Sequence, residues 1–142
     1  MSENLKKLSE LTQTLQRVEE NLQEENTILN FLLEHFTDGY WDWNVTTNYE
    51  YLSSKFKQQL GYGVNEMENS PNSWMKICND EDLERASAKI TSLIKGETEE
   101  FEETLRFTHK EGNEVKILCR GKVVKRHENG TALRVVGTHT VI

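Results

Sequence analysis

The sequence has little proline, little cysteine and no long apolar run. Its 142 residues include one proline and two cysteines, Cys78 and Cys119, which do not form a CxxC pair. Two isolated thiols are typical of reduced, buried residues rather than of a disulfide framework. The N-terminus lacks a basic segment followed by an apolar core, so we expect no signal peptide. No apolar run is long enough to span a bilayer. These absences predict a cytoplasmic protein without membrane insertion.

The chain also lacks a basic patch and any metal-ligand motif. It carries 17 Lys and Arg against 24 Asp and Glu, a formal net charge of −7, and its basic residues are scattered. Nucleic-acid binding needs a basic stripe, so we expect no nucleic-acid partner. The four histidines are too far apart in sequence to predict a metal site, and His139 is expected to be a satisfied histidine of a sheet.

Residues 1–36 contain neither proline nor glycine and are rich in strong helix formers. Apolar residues recur with a seven-residue period, broken only by Glu25. This stripe is too narrow for a helix folded back on its own domain, and it is typical of a coiled-coil seam. We therefore expect a parallel homodimer, with an interface formed by Leu8, Leu11, Leu15, Val18, Leu22, Leu29, Leu32 and Phe36.

Residues 37–142 combine strand and helix patterns. Alternating residues predict a hairpin of two strands, Tyr40–Val45 and Tyr49–Leu52. Ser53 or Ser54 is expected to cap the helix that follows, and Asn72 or Ser73 to cap a short turn. An amphipathic helix is predicted from Asp80 to Lys95, with inward residues Leu83, Ala86, Ile90, Leu93 and Ile94.

The last third alternates again and predicts three antiparallel strands. The first carries Phe101, Leu105 and Phe107 on one face, and the others run over Val115–Lys125 and about Ala132–Val141. The Asn129-Gly130 pair between the last two is a strong hairpin signal. The fold class is therefore α+β, with one five-stranded antiparallel sheet and flanking helices behind a long N-terminal helix.

Several stretches resemble landmarks of the PAS domain family, in its PAS-plus-PAC subgroup from bacterial signalling proteins. The resemblance covers residues 37–142 and depends on the order and spacing of its parts. Those parts are Asp38-Gly39-Tyr40-Trp41-Asp42-Trp43-Asn44, Tyr51-Leu52-Ser53, Leu60-Gly61-Tyr62, Phe101 to Gly112, Arg120-Gly121 and Gly137-Thr138-His139-Thr140.

This resemblance implies a sensory, dimerising domain of a larger protein with a histidine kinase or diguanylate cyclase effector. Because the chain ends flush with the last predicted strand, we expect the effector to lie outside it. The resemblance also implies a small cavity enclosed by the sheet and the helices. The candidates for lining it are Trp41, Trp43, Leu60, Trp74, Ile90, Leu105, Phe107, Ile117 and Cys119, with plain core packing as the alternative for each tryptophan.

Cofactor motifs of the family do not match this chain. Light-sensing flavin relatives carry a cysteine in an Asn-Cys-Arg context, whereas Cys78 is followed by Asn79 and Asp80. Haem-binding relatives use a histidine on the long helix, and Asp80–Lys95 contains none. We therefore predict no cofactor, and the sequence does not identify the ligand. The alternative functions are a flavin- or haem-binding sensor and a ligand-free assembly domain. No nucleophile–base set or phosphate-binding glycine loop is present, so we expect no catalysis.

Overall fold

The computed structural model describes residues 2–142. Its contacts divide the chain into two units, one ending at Phe36 and one from Thr37 to Ile142. The first unit is a single helix, α1 (Glu3–Phe36), with no buried residue, which confirms the predicted long helix. No helix within residues 2–142 is long and apolar enough to cross a membrane.

The second unit is an α+β domain with one five-stranded sheet. The strands lie in the order β2-β1-β5-β4-β3, and every neighbouring pair is antiparallel. This architecture confirms the predicted fold class. The elements are β1 (Gly39–Asn44), β2 (Tyr49–Leu52), α2 (Ser54–Gln59), α3 (Pro71–Met75), α4 (Asp80–Lys95), β3 (Glu100–Thr108), β4 (Glu114–Arg126) and β5 (Ala132–Val141).

Side-chain caps set the helix starts of this unit. Ser53 Oγ accepts a hydrogen bond from Phe56 N at the start of α2, and Asn79 Oδ1 accepts from the first turn of α4. The expected cap of α3 at Asn72 or Ser73 was wrong, because that helix begins at Pro71 with Ser70 as its N-cap. Proline is favoured at the first helical position, since its φ is already set for a helix.

One face of the sheet, the inner face, carries the aromatic core. Trp41 of β1 is paired with Gly137 of β5, which is paired in turn with Gly121 of β4. A Cβ atom added at Gly137 would lie 2.4 Å from the nearest atom of the Trp41 ring, and one added at Gly121 would lie 2.5 Å from it. The indole can therefore lie against the backbone of two strands only because both positions are glycine.

Asp82 joins α4 to β3. Its side chain is almost fully buried, and Oδ2 accepts hydrogen bonds from Arg106 N at 2.8 Å and Arg106 Nε at 2.9 Å. Oδ1 accepts from the Nη2 atoms of Arg106 and Arg85, at 3.0 and 2.9 Å. The hydrogen bonds from Arg106 hold the pKa of the Asp82 carboxyl well below its usual range. The predicted inward face of α4 omitted Asp82, because its sequence position suggested only a favourable charge at the helix N-terminus.

We expect Asp82→Asn to lower the free energy of unfolding by about 3 kcal/mol, because Arg106 and Arg85 lose the buried carboxylate that is their counter-charge. The matched control is Asp80→Asn, which removes the same charge from the same helical turn at an exposed position and should cost about 0.5 kcal/mol. Urea denaturation followed by circular dichroism measures both. Equal losses of unfolding free energy in the two variants would show that Asp82 stabilises the domain only through its interaction with the helix dipole.

Candidate functional site

A cavity of about 310 Å³ lies between the inner face of the sheet and helices α2, α3 and α4. Its size is at the small end of the range for ligand pockets, about 300–1,000 Å³. The wall is mainly apolar and contains all three tryptophans of the chain. The tryptophan and phenylalanine residues of the wall are Trp41, Trp43, Phe56, Trp74, Phe101 and Phe107.

The cavity brings together seven of the nine residues proposed from the sequence. The two others, Leu60 and Ile117, do not line it but are completely buried in the core. The position of these two residues therefore does not support the ligand contact predicted for them. For the seven residues that line the cavity, ligand contact remains a prediction. The seven are Trp41, Trp43, Trp74, Ile90, Leu105, Phe107 and Cys119.

Sequence reasoning missed Glu50, a buried acid in the cavity wall. Glu50 lies on the edge strand β2 beside Trp43 of β1, and 6% of its surface is exposed. Trp74 Nε1 donates a hydrogen bond of 2.8 Å to Glu50 Oε1. The signal was present in the strand pattern: alternation places Glu50 on the same face as Leu52, which is core.

The Glu50 carboxyl is poised to gain or lose a proton near neutral pH. Burial raises its pKa from 4.5 to about 7, although the hydrogen bond from Trp74 acts in the opposite direction. Loss of hydration disfavours the ionised form, whereas the indole N–H favours it. Glu50 therefore carries a proton for part of the physiological pH range.

His139 is the second polar group that the prediction did not place in the cavity. It is 4% exposed and stacks on Phe56, with ring centroids 3.9 Å apart. The expectation of a satisfied histidine was wrong, because Nδ1 is buried without a hydrogen-bond partner among the described residues. Burial lowers the pKa of His139 to about 3, so the imidazole is neutral at physiological pH. The wall thus holds an uncharged imidazole with unused hydrogen-bonding capacity.

The two cysteines are buried, unbridged thiols. Cys119 lines the cavity, whereas Cys78 does not. Burial raises the pKa of Cys78 to about 11, with Asp82 adding to the effect, and burial also raises that of Cys119. A thiol that stays protonated is a weak nucleophile. Within residues 2–142 no cluster of His, Cys, Asp and Glu side chains is arranged to hold a metal ion.

We expect Glu50→Gln to stabilise the domain in a pH-dependent way. Because the folded pKa of Glu50 exceeds its unfolded value of 4.5, the wild type loses stability as pH rises from 4.5 to about 7. Glutamine keeps an acceptor for Trp74 and removes this loss. The variant should be more stable than wild type by up to about 3 kcal/mol above pH 7.

Chemical denaturation of both proteins across the pH range measures this difference. The stability of the variant relative to wild type should shrink toward zero below pH 4.5. A difference that stays constant with pH would show that the Glu50 carboxyl titrates normally.

Comparison with solved structures identifies similar domains. A sensory box histidine kinase/response regulator from Burkholderia thailandensis E264 superposes with a TM-score of 0.68 and 23% identity, over 80% of this chain and 83% of that chain. The N-terminal domain of a diguanylate cyclase with a PAS/PAC sensor from Marinobacter aquaeolei superposes with a TM-score of 0.63 and 21% identity, over 72% of this chain and 93% of that chain. An RNA-binding Light-Oxygen-Voltage receptor superposes with a TM-score of 0.62 and 11% identity, over 72% of this chain and 28% of that chain. At these identities the similarity establishes the fold.

A family comparison supplies the assignment. No curated protein matches the sequence. A family model described as PAS fold matches residues 49–139, which is well over half of the 142 residues. The resemblance drawn from the sequence is thereby confirmed: the chain belongs to the PAS fold family.

Proposed function

We propose that this chain is a sensory and dimerisation module of a larger signal-transduction protein, of histidine kinase or diguanylate cyclase type. An event in the cavity would be relayed through a dimer of helix α1. The proposal is supported by the two similar domains, which come from proteins of these two kinds. The observation that carries it is the apolar seam of α1, whose residues are exposed in the part of the chain that the structure describes.

The seam is formed by the eight α1 residues Leu8, Leu11, Leu15, Val18, Leu22, Leu29, Leu32 and Phe36, and each is between 45% and 75% exposed. Fully burying a side chain of this kind stabilises an association by about 1.5–3 kcal/mol. A second copy of the chain is the proposed occupant, because a seven-residue repeat is complementary to the same repeat on a parallel helix. Glu25 interrupts the seam and weakens it locally, which leaves the helix pair free to shift.

The backbone connects the cavity wall to the residues that follow α1. Asp38 N donates a 3.0 Å hydrogen bond to the carbonyl oxygen of His139, and Asp38 Oδ2 accepts a 2.7 Å bond from Val141 N. Gly39 is the cross-strand partner of His139. A displacement of His139 by a ligand therefore acts on the backbone two residues after the end of α1.

Relay also requires that the ligand favour one of two arrangements of the dimer. A ligand with equal affinity for both arrangements shifts neither population, however tightly it binds. Since the contacts of Asp38 depend on the position of strand β5, a ligand that moves this strand meets the requirement.

We expect the double variant Leu15→Asp, Leu22→Asp to be a monomer at concentrations where wild type is a dimer. The control is Gln16→Asp, Gln23→Asp, which adds the same charge one position along the helix, outside the seam. Sedimentation equilibrium of the full chain measures all three. If the leucine variant dimerises with the same affinity as wild type, the proposal is contradicted. It is also contradicted if the leucine variant and the glutamine control lose dimer affinity equally, because that would indicate a general charge effect.

A further inference from the structure

We propose that the cavity binds a small organic amine in its protonated form, with Glu50 as the counter-ion and the tryptophan and phenylalanine rings as walls. The inference rests on the proposed function, in which the cavity is the sensory site. It adds the chemical class of the ligand.

The charge of the cavity wall favours a cation. Among the described residues that line the cavity there is no lysine or arginine, and Glu50 is the sole acidic residue. Glu50 takes part in none of the ion pairs found within residues 2–142. A buried carboxylate is costly unless it is paired, and an ammonium group would supply the missing charge. An anionic ligand would instead meet a like charge without a compensating base.

The aromatic wall favours the same class of ligand. The faces of tryptophan and phenylalanine rings attract cations, and tryptophan does so most strongly. Trp74 has two roles here, because its ring lines the cavity while its Nε1 atom holds the Glu50 carboxyl in position. The site therefore combines a fixed counter-ion with polarisable walls, which is the chemistry that recognises ammonium groups.

Hydrogen bonding distinguishes a protonated amine from a quaternary ammonium ion. Glu50 offers carboxylate oxygens, and the neutral imidazole of His139 has one acceptor nitrogen. A protonated amine carries several N–H donors for such acceptors, whereas a quaternary ammonium ion carries none. The volume of about 310 Å³ corresponds to about ten water molecules at ~30 Å³ each, which suits a one-ring amine.

A matched pair of probes tests the assignment on the full chain. 2-Phenylethylamine carries a protonated nitrogen, and 2-phenylethanol replaces it with an uncharged hydroxyl on the same skeleton. Because all three tryptophans line the cavity, intrinsic fluorescence reports binding directly, and calorimetry measures the affinities. Above the pKa of Glu50, the amine should bind about ten-fold or more tightly than the alcohol.

Two variants link this preference to the carboxylate. Glu50→Gln should weaken binding of the amine about ten-fold or more while leaving that of the alcohol unchanged. Glu111→Gln removes an exposed carboxylate outside the cavity and should leave both affinities as in wild type. The denaturation measurements on Glu50→Gln show independently whether that variant is folded.

The outcomes separate this inference from the proposed function. If the alcohol binds as tightly as the amine, or if Glu50→Gln keeps the preference, the amine assignment is wrong although the cavity is a ligand site. If neither probe binds, the assignment is also overturned, and the proposed function is judged by the dimerisation of the seam variants. A preference for the amine that Glu50→Gln abolishes and Glu111→Gln preserves supports the assignment.

Discussion

The ion pair between Asp82 and Arg106 holds helix α4 against strand β3, and the cavity lies between the layers that this pair joins. Arg106 donates three hydrogen bonds to the two carboxyl oxygens, at 2.8–3.0 Å, from its backbone and its guanidinium group. Asn79 accepts a further bond from the same guanidinium while capping α4. Because α4 and β3 both supply wall residues, this ion pair joins two of the elements that enclose the cavity.

The cavity wall departs from ordinary core packing in two side chains. Among residues 2–142, Glu50 is a buried acid without a basic partner, and His139 is a buried imidazole with an unsatisfied nitrogen. Each of these features costs stability, because a polar group removed from water is compensated only by a partner. Proteins tolerate such costs mainly at functional sites, so the two residues support the proposal that this part of the core is the sensory site. In the proposed relay, the hydrogen bond from Asp38 N to the carbonyl oxygen of His139 would carry the effect of a ligand toward α1.

Much of the fold could be predicted because local patterns and tertiary structure agree. The strand alternation of Ala132–Val141 and the amphipathic helix Asp80–Lys95 both appear in the structure. The cavity wall was harder to predict, because sequence position does not show how far a core side chain lies from a void. Leu60 and Ile117 are as buried as their pattern indicated, yet they pack away from the cavity. Glu50 and His139 were missed because a charge or an imidazole on a strand is most often exposed or satisfied.

The most direct test of this account is the visible absorption spectrum of the freshly purified full chain, with mass spectrometry of any compound it releases on denaturation. The account predicts no absorption in the visible range and a released compound that contains a basic nitrogen. The cavity wall has an acid and no lysine or arginine to pair with the phosphate of a flavin nucleotide or the carboxylates of haem. A visible band from either cofactor would contradict the claim that this domain senses a small cationic ligand.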